Sequence, residues 1–384
     1  MKKTEKSPPI KLYRTWIEID TQKLRHNVSE FLKLVPAKTR MMAVIKSNAY
    51  GHGIIGIAKS LEKFPAFRKR GMFGVDSVVE AFALRKEGIT LPILVLGYTL
   101  PIHIREAAKK DILLTVSTFQ TLKEIARLNV RVAVHIKCDT GMHRQGFFEN
   151  DLGRLLYELR KMPRIRVEGV YTHFAAAKDG SKTDYTRGQL AIFNRMVARV
   201  KAAYPKVLVH ASASGGSLLF PEAHFDIVRI GMGAYGYWPS KEVWKSLASK
   251  INLKPVLAWK SLVSEVKRVP KGSKVGYDGT EIAKRDSTLA IVPAGYWHGY
   301  DRGFSSRGEV LIKGKRAKVM GRVSMDMIVV DVTAISGVKA GECVTIIGQD
   351  GKDAISAEEM ADMLETSPYE ILTRINPLIQ KLYQ

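Results

Sequence analysis

MMAVIKSNAYGHGIIGIAKSLEKF (41–64) is the stretch on which the fold turns. It opens with the short apolar run MMAVIK (41–46) and passes through the loop SNAYGHG. It continues as IIGIAKSLEKF, where apolar residues recur at three- and four-residue spacing. That order reads as strand, loop, amphipathic helix. The unit then recurs along the first two thirds of the chain. Further apolar, β-rich runs are MFGVDS (72–77), ILVLG (93–97), LLTVS (113–117), VAVHIK (132–137), VEGVYTH (167–173), VLVHAS (207–212) and IVRIG (227–231). Segments such as VVEAFALRKEG and FQTLKEIARL separate them with helical periodicity.

Continuous apolar strands alternating with helices imply a parallel sheet covered on its outer face. Eight units within about 200–250 residues fit a closed (β/α)8 barrel, here over residues 20–249. A doubly wound open sheet is the alternative, but no GxGxxG follows the first run. From about residue 250 the pattern changes. VLAWKSLVSEVKRV (256–269), STLAIVPAG (287–295), EVLIKGKRAKVMG (309–321), MIVVDVT (327–333) and CVTIIG (343–348) are strands divided by turn residues. The first long helix there is SAEEMADML (356–364). Residues 250–384 therefore read as a mostly antiparallel β-domain, and YRTWIEID (13–20) makes residues 1–19 a candidate to pair with it.

Composition narrows the class. The 384 residues are 46% hydrophobic and 26% charged, which excludes a disordered or fibrous chain. Cys138 and Cys343 cannot build a disulfide framework. No apolar run approaches membrane-spanning length, and no apolar stretch follows the basic N-terminal residues as in a secretory signal. The expectation is a cytoplasmic enzyme. The formal net charge is +24, from 61 Lys and Arg against 37 Asp and Glu. These charges are spread along the chain, with KRVPKGSK (267–274) and IKGKRAK (312–318) the densest blocks. A basic solvated surface is favoured over a nucleic-acid footprint.

A barrel carries its chemistry at the C-terminal ends of its strands. The first run ends in Lys46, the fifth leads through Lys137, Asp139, Thr140 and Gly141 to Arg144, and the sixth ends in His173. The seventh leads into HASASGGS with Ser212 and Ser214, and the eighth carries Arg229 and ends at Gly231. Singly, each has a bland structural reading. Together they form one rim. Barrels commonly bind phosphate after strands seven and eight, and a phosphate seat opposite a strand-end lysine suggests pyridoxal phosphate held as a Schiff base. Metal chemistry is disfavoured, because no HxxxH or HxH pairs with carboxylates, and no GxSxG elbow is present.

AVIKSNAYGHG (43–53) resembles the cofactor-lysine segment of alanine racemases. HIKCDTGMHRQGF (135–147), GVYTHFA (169–175), VRIGMGAYGYWPS (228–240), GYWHGYDR (295–302), GRVSMD (321–326) and SPYEILTRI (367–375) resemble further motifs of that family in the same order. Seven collinear matches are specific. The resemblance implies a pyridoxal 5'-phosphate barrel followed by a β-domain, interconverting L-alanine and D-alanine for cell-wall peptidoglycan. It makes Lys46 the Schiff-base lysine and one catalytic base, and Tyr277 the second base. Tyr50, Ser214, Tyr369 and the backbone of Gly231 and Met232 would hold the phosphate. Arg144 would meet the pyridine hydroxyl oxygen and the substrate carboxylate, His173 would lie against the ring, and Arg229 would face the pyridine nitrogen. Met325 would hold the substrate carboxylate through its N–H, and Lys137 resembles a lysine that is carbamylated in this family. The resemblance further implies a homodimer with shared active sites, Tyr277 and Met325 coming from the partner subunit. Neither nucleic acid nor membrane is an expected partner.

The chain departs from the family pattern at several positions. Ala213 stands for an Asn, Ser324 for a Cys, Trp297 and His298 for Ala and Asp, Lys178 for an Asp, and PLIQKLYQ for a Pro-Arg ending. Lys178 and His298 make the substrate channel more basic. Tyr50, Tyr296 and Tyr369 favour a small side chain, so alanine is the expected substrate. The alternatives are a racemase of broader range, acting on serine or longer amino acids, and a non-catalytic cofactor carrier. The β-domain with Tyr277 and Met325 speaks against the carrier.

Overall fold

The computed structural model describes residues 12–384, and the structural statements below concern these. They form two compact units: Lys23–Ala49 with Ile54–Lys254, and the residues up to Gln22 with Tyr50–Gly53 and Pro255–Gln384. Among the described residues, no helix is long and apolar enough to cross a membrane.

Strand β1 (Thr15–Ile19) belongs to the second unit. The first unit is built on β2 (Arg40–Val44), β3 (Gly71–Val75), β4 (Ile93–Val95), β5 (Ile112–Val116), β6 (Val132–Lys137), β7 (Ile165–Tyr171), β8 (Leu208–His210) and β9 (Ile227–Ile230). They run β8-β7-β6-β5-β4-β3-β2-β9, every neighbour parallel. Two backbone bonds join the ends of that order: Asp226 N–H donates to Val209 O (3.0 Å) and Arg229 N–H to Ser212 O (2.9 Å). The eight-stranded barrel is thus present. Strand β8 ends at His210, shorter than VLVHAS suggests; beyond it Ala211 O accepts from the Arg229 guanidinium instead of from a neighbouring strand.

The period of two along each strand divides the barrel interior into layers. Met42, Met72, Leu94, Leu113, Ala133 and Ile227 pack as one apolar cluster. Two residues further along, three of these strands turn polar, Thr115 after Leu113, His135 after Ala133 with Lys137 two beyond it, and Arg229 after Ile227, while Val44, Gly74 and Leu96 keep the other three apolar. An apolar floor therefore carries a polar upper layer at the C-terminal strand ends.

The second unit is mostly antiparallel. Its strands after β1 are β10 (Leu257–Leu262), β11 (Glu265–Val269), β12 (Lys274–Val275), β13 (Glu281–Ile282), β14 (Ser287–Val292), β15 (Glu309–Ile312), β16 (Lys315–Lys318), β17 (Ile328–Asp331), β18 (Cys343–Asp350), β19 (Asp353–Ile355) and β20 (Lys381–Tyr383). One sheet runs β16-β15-β18-β10-β1-β20 with β19 on β18, a second runs β11-β14-β17, and β12 pairs with β13. The run 256–269 is two strands, not one. At Val263 and Ser264 the chain changes sheets, Val263 N–H donating to Glu342 O and Ser264 N–H to Ile291 O.

Candidate active site

Lys46 follows β2 directly and opens a left-handed turn. Ser47, Asn48, Ala49 and Tyr50 all have φ between +53° and +55°. Four successive non-glycine residues in this region are unfavourable and need outside support. Glu80 supplies it. One carboxylate oxygen accepts the N–H groups of Ser47 (2.7 Å) and Asn48 (3.4 Å), and the other those of Asp76 (2.8 Å) and Ser77 (3.3 Å). Asn48 Oδ1 then accepts Ile54 N–H (3.0 Å), fixing where the next helix starts. Lys46 Nζ lies 3.4 Å from Asp76.

Arg229 is the buried centre of the upper layer. Its guanidinium donates to Thr172 O (2.8 Å), Ala211 O (2.6 Å), His210 Nδ1 (2.9 Å) and His173 Nδ1 (3.2 Å). His210 Nε2 and His135 Nδ1 lie 2.8 Å apart. His210 stacks flat on Tyr171, centroids 4.5 Å apart, and Tyr171 OH meets Thr115 Oγ1 at 2.9 Å. Lys137 Nζ sits over the Tyr171 ring, 4.4 Å from its centroid. Burial, then Arg229 and Arg144, drives Lys137 well below the usual lysine range, which favours its neutral form. Burial and Arg229 do the same to the imidazolium forms of His173 and His210, and bring His135 to about 3. Burial lowers Arg229 to about 10, so it remains the fixed cation.

The loop after β6 is set by Asp139. Its carboxylate accepts N–H groups from Gly141 (3.0 Å), His143 (3.0 Å) and Arg144 (3.1 Å). Burial raises its pKa, but these bonds outweigh it and the net shift is downward. The Arg144 side chain is exposed. After β8 and β9, buried Ser214 Oγ accepts N–H groups from Gly231 (3.1 Å) and Gly233 (3.4 Å), with Met232 buried beside them. A Cβ at Gly233 would lie 2.4 Å from the Phe31 ring, so only glycine lets the backbone come this close. At Ala213 the turn has no side-chain cap, and Ser217 Oγ donates to Ala213 O (2.9 Å) instead.

In the second unit, Tyr277, Tyr296, Asp301, Ser324, Met325 and Arg374 line a cavity of about 770 Å³. Tyr277 and Met325 are 68% and 53% exposed, unusual for groups expected to do chemistry. The Met325 segment is held from behind: Ser324 O accepts Tyr296 N–H (3.1 Å) and Met325 O accepts Trp297 N–H (2.9 Å). A Cβ at Gly295 would lie 2.2 Å from Ser324 O, so this packing requires glycine. His298 Nδ1 accepts Gly295 N–H (3.2 Å). Tyr50 and Tyr369 meet edge to face, centroids 6.0 Å apart.

The barrel thus gathers Lys46, Lys137, His173, Ser214, Arg229, Gly231 and Met232 at its C-terminal strand ends. The second unit gathers Tyr277 with Met325, and Tyr50 with Tyr369. Sequence reasoning gave no role to Glu80, Tyr171, His210 or Thr115. Period-two alternation on β5–β8 carries the signal for the last three, and SVVE (77–80) carries the capping signal for Glu80. The donor set fits pyridoxal phosphate. A lysine stands at a strand end, amide N–H groups and a serine gather after the last two strands, and fixed cations surround neutral imidazoles. Of the carboxylates nearby, Glu80 and Asp139 are turned to backbone N–H groups, and Asp76 lies beside Lys46 Nζ at 3.4 Å.

A lysine-bearing (β/α)8 barrel joined to a β-domain that presents a tyrosine defines a class of amino-acid racemases. The family models place this chain within it. The alanine racemase N-terminal domain matches residues 19–239 and the alanine racemase C-terminal domain residues 256–383. An "alanine racemase 1" of Caldanaerobacter subterraneus is 37% identical over 375 residues, 96% of this chain and 94% of the relative. The crystal structure of alanine racemase from Bacillus anthracis with bound L-Ala-P superposes with TM-score 0.90 at 35% identity, covering 97% of this chain and 96% of that one. That from Bartonella henselae, with covalently bound pyridoxal phosphate, gives 0.83 at 27% identity, covering 97% and 100%. The chain belongs to the alanine racemase family and is an isomerase.

Proposed function

We propose that the protein interconverts L-alanine and D-alanine with pyridoxal 5'-phosphate held on Lys46, in the cytoplasm, supplying D-alanine for peptidoglycan. The observation that carries this reading is the buried Arg229 cation bonded to His210 and His173, at the strand end next to Lys46's own. When bound, the cofactor delocalises the negative charge left as the α-proton departs. Ser214 and the backbone of Gly231 and Met232 hold its phosphate, and Tyr50 and Tyr369 are assigned there too. Arg229 faces the pyridine nitrogen. A guanidinium only donates, so it opposes protonation of the nitrogen it faces. That weakens charge delocalisation and favours prompt return of a proton over side reactions. His173 lies against the ring.

Racemisation needs a proton holder on each face of the α-carbon. Lys46 Nζ serves one face, and the hydroxyl of Tyr277 of the partner subunit serves the other. The protein is accordingly a homodimer with shared sites, which fits the exposure of Tyr277 and Met325 in the single chain. Arg144 and the N–H of the partner subunit's Met325 hold the substrate carboxylate. Burial and the neighbouring cations favour the neutral amine of Lys137, the form that adds carbon dioxide with release of one proton, and the resulting carbamate would place an anion beside Arg144. The test is chiral product analysis of the cofactor-loaded protein given L-alanine and, separately, L-serine. Racemic alanine with much slower serine turnover is expected. Serine turned over as fast as alanine, or no D-product from either, would overturn the reading.

A further inference from the structure

We propose that the N-terminal end of the barrel, opposite the catalytic mouth, is a docking face for an anionic lipid bilayer. Because all eight strands are parallel, the segments that enter them share one end of the unit. Exposed cations precede six of the eight strands. Lys38 precedes β2, Arg68 and Lys69 precede β3, and Lys109 and Lys110 precede β5. Arg131 precedes β6, Lys161 and Arg164 precede β7, and Lys206 precedes β8.

Opposing charge on this end is sparse. The exposed acids in these segments are Glu87, before β4 and paired with Lys59, Asp111, before β5, and Glu222, before β9. Asp226 is turned inward, accepting Val209 N–H (2.9 Å). Glu62 accepts the N–H groups of Thr90 and Leu91 ahead of β4. Lys110 and Lys161 have partners on their own helices, Glu106 and Glu158. Lys38, Lys69, Lys109 and Lys206 have no ion pair or side-chain hydrogen bond among the described residues, and they sit in four different connections.

The arrangement selects the partner. A nucleic-acid track is a stripe, usually with aromatic side chains for stacking or an element that enters a groove. Here the cations form a ring around a closed barrel, on short connections, and the large exposed aromatics nearest to it amount to Tyr157, whose ring is covered by Lys161 Nζ at 3.7 Å. A ring of charge at one level matches a plane of charge. The same shortage of exposed apolar groups, Leu34 apart, means that nothing inserts into the hydrocarbon. Attachment is electrostatic, peripheral and reversed by salt, since screening shortens the interaction range to about 8 Å at physiological ionic strength.

Sedimentation of the full-length protein with phosphatidylcholine vesicles, with and without phosphatidylglycerol, tests this. Binding to the anionic vesicles alone, released by high salt, is expected. The Lys38→Glu, Lys69→Glu, Lys109→Glu, Lys206→Glu variant should lose partitioning by at least about ten-fold while its turnover in solution is unchanged. A control with equal charge change in the second unit, Lys271→Glu, Lys284→Glu, Lys339→Glu, Lys352→Glu, should keep most of it. Equal loss in both variants would make net charge, not this face, responsible and overturn the proposal. So would absence of vesicle binding, or preferential capture by duplex DNA offered at equal phosphate.

Discussion

Replacing Glu80 tests whether Lys46 is positioned by its own strand or by the turn that follows it. The left-handed conformation of Ser47–Tyr50 is unfavourable by roughly 1–2 kcal/mol per residue, about 4–8 kcal/mol in all. The four N–H groups on the Glu80 carboxylate oppose that tendency, at roughly 1.5–3 kcal/mol for each bond to a charged acceptor where water is excluded. Glu80 is only half-buried and two of the four bonds are long, so about 2–4 kcal/mol is the realistic loss on truncation to alanine. Glu80→Gln should lose about half, because one of its two terminal atoms becomes a donor facing donors. The expected outcome is a turn that relaxes locally while the barrel stays folded. Turnover should fall about ten- to a hundred-fold in Glu80→Ala, and less in Glu80→Gln, with cofactor still bound to Lys46. Hydrogen exchange followed by mass spectrometry should show lost protection confined to the peptide spanning residues 45–54. If protection there and turnover both stay within about two-fold of wild type, the carboxylate does not hold the turn and the reasoning fails.

Two further outcomes follow from the site. Lys46→Ala and Tyr277→Phe should each be inactive, yet subunit exchange between equal amounts should restore about a quarter of the sites, because a mixed two-fold dimer has one site with both lesions and one with neither; no recovery with exchange verified by a tag would place Tyr277 in its own chain's site or outside the chemistry. His135, His173 and His210 are held below the ordinary histidine value, His135 at about 3, so below pH 6.5 the unfolded chain binds protons that the fold refuses. Stability therefore falls as pH drops through 6.5, by about 1.4 kcal/mol per pH unit for each such histidine; urea midpoints at pH 7, 6 and 5 that do not shift would refute the neutral imidazoles.

Much of the barrel was readable because its strands are apolar along their whole length and the segments between them keep helical period. MMAVIK and VAVHIK could be placed nearly to the residue for that reason. The sheet change at Val263–Ser264 was not readable, since an edge-free run of β-formers contains no sign of which sheet each half joins. The strand-end residues Lys46, His173 and Arg229 were found by asking what each strand delivers. Tyr171 and His210 end β7 and β8 in the structure, but were passed over because they lie inside the runs VEGVYTH and VLVHAS, where an aromatic or imidazole reads as core. Glu80 was hidden by its double duty. It closes a capping box with Ser77 on its own helix and also reaches back to Ser47, 33 positions earlier, and only the first of these leaves a local pattern.

The Arg229–His210–His135 series has a direction. Arg229 can only give hydrogen bonds, so His210 Nδ1 must receive one and its hydrogen sits on Nε2. His135 Nδ1 must in turn receive from it, which puts the His135 hydrogen on Nε2, where no acceptor is found. The series is a one-way street ending at a wall. Among the described residues this series hands no exchangeable proton on from His135, so under the function proposed above the door for protons is the mouth of the barrel. A proton lifted from substrate can be handed back, or lost through that door to water, and label-retention measurements would read the ratio of the two.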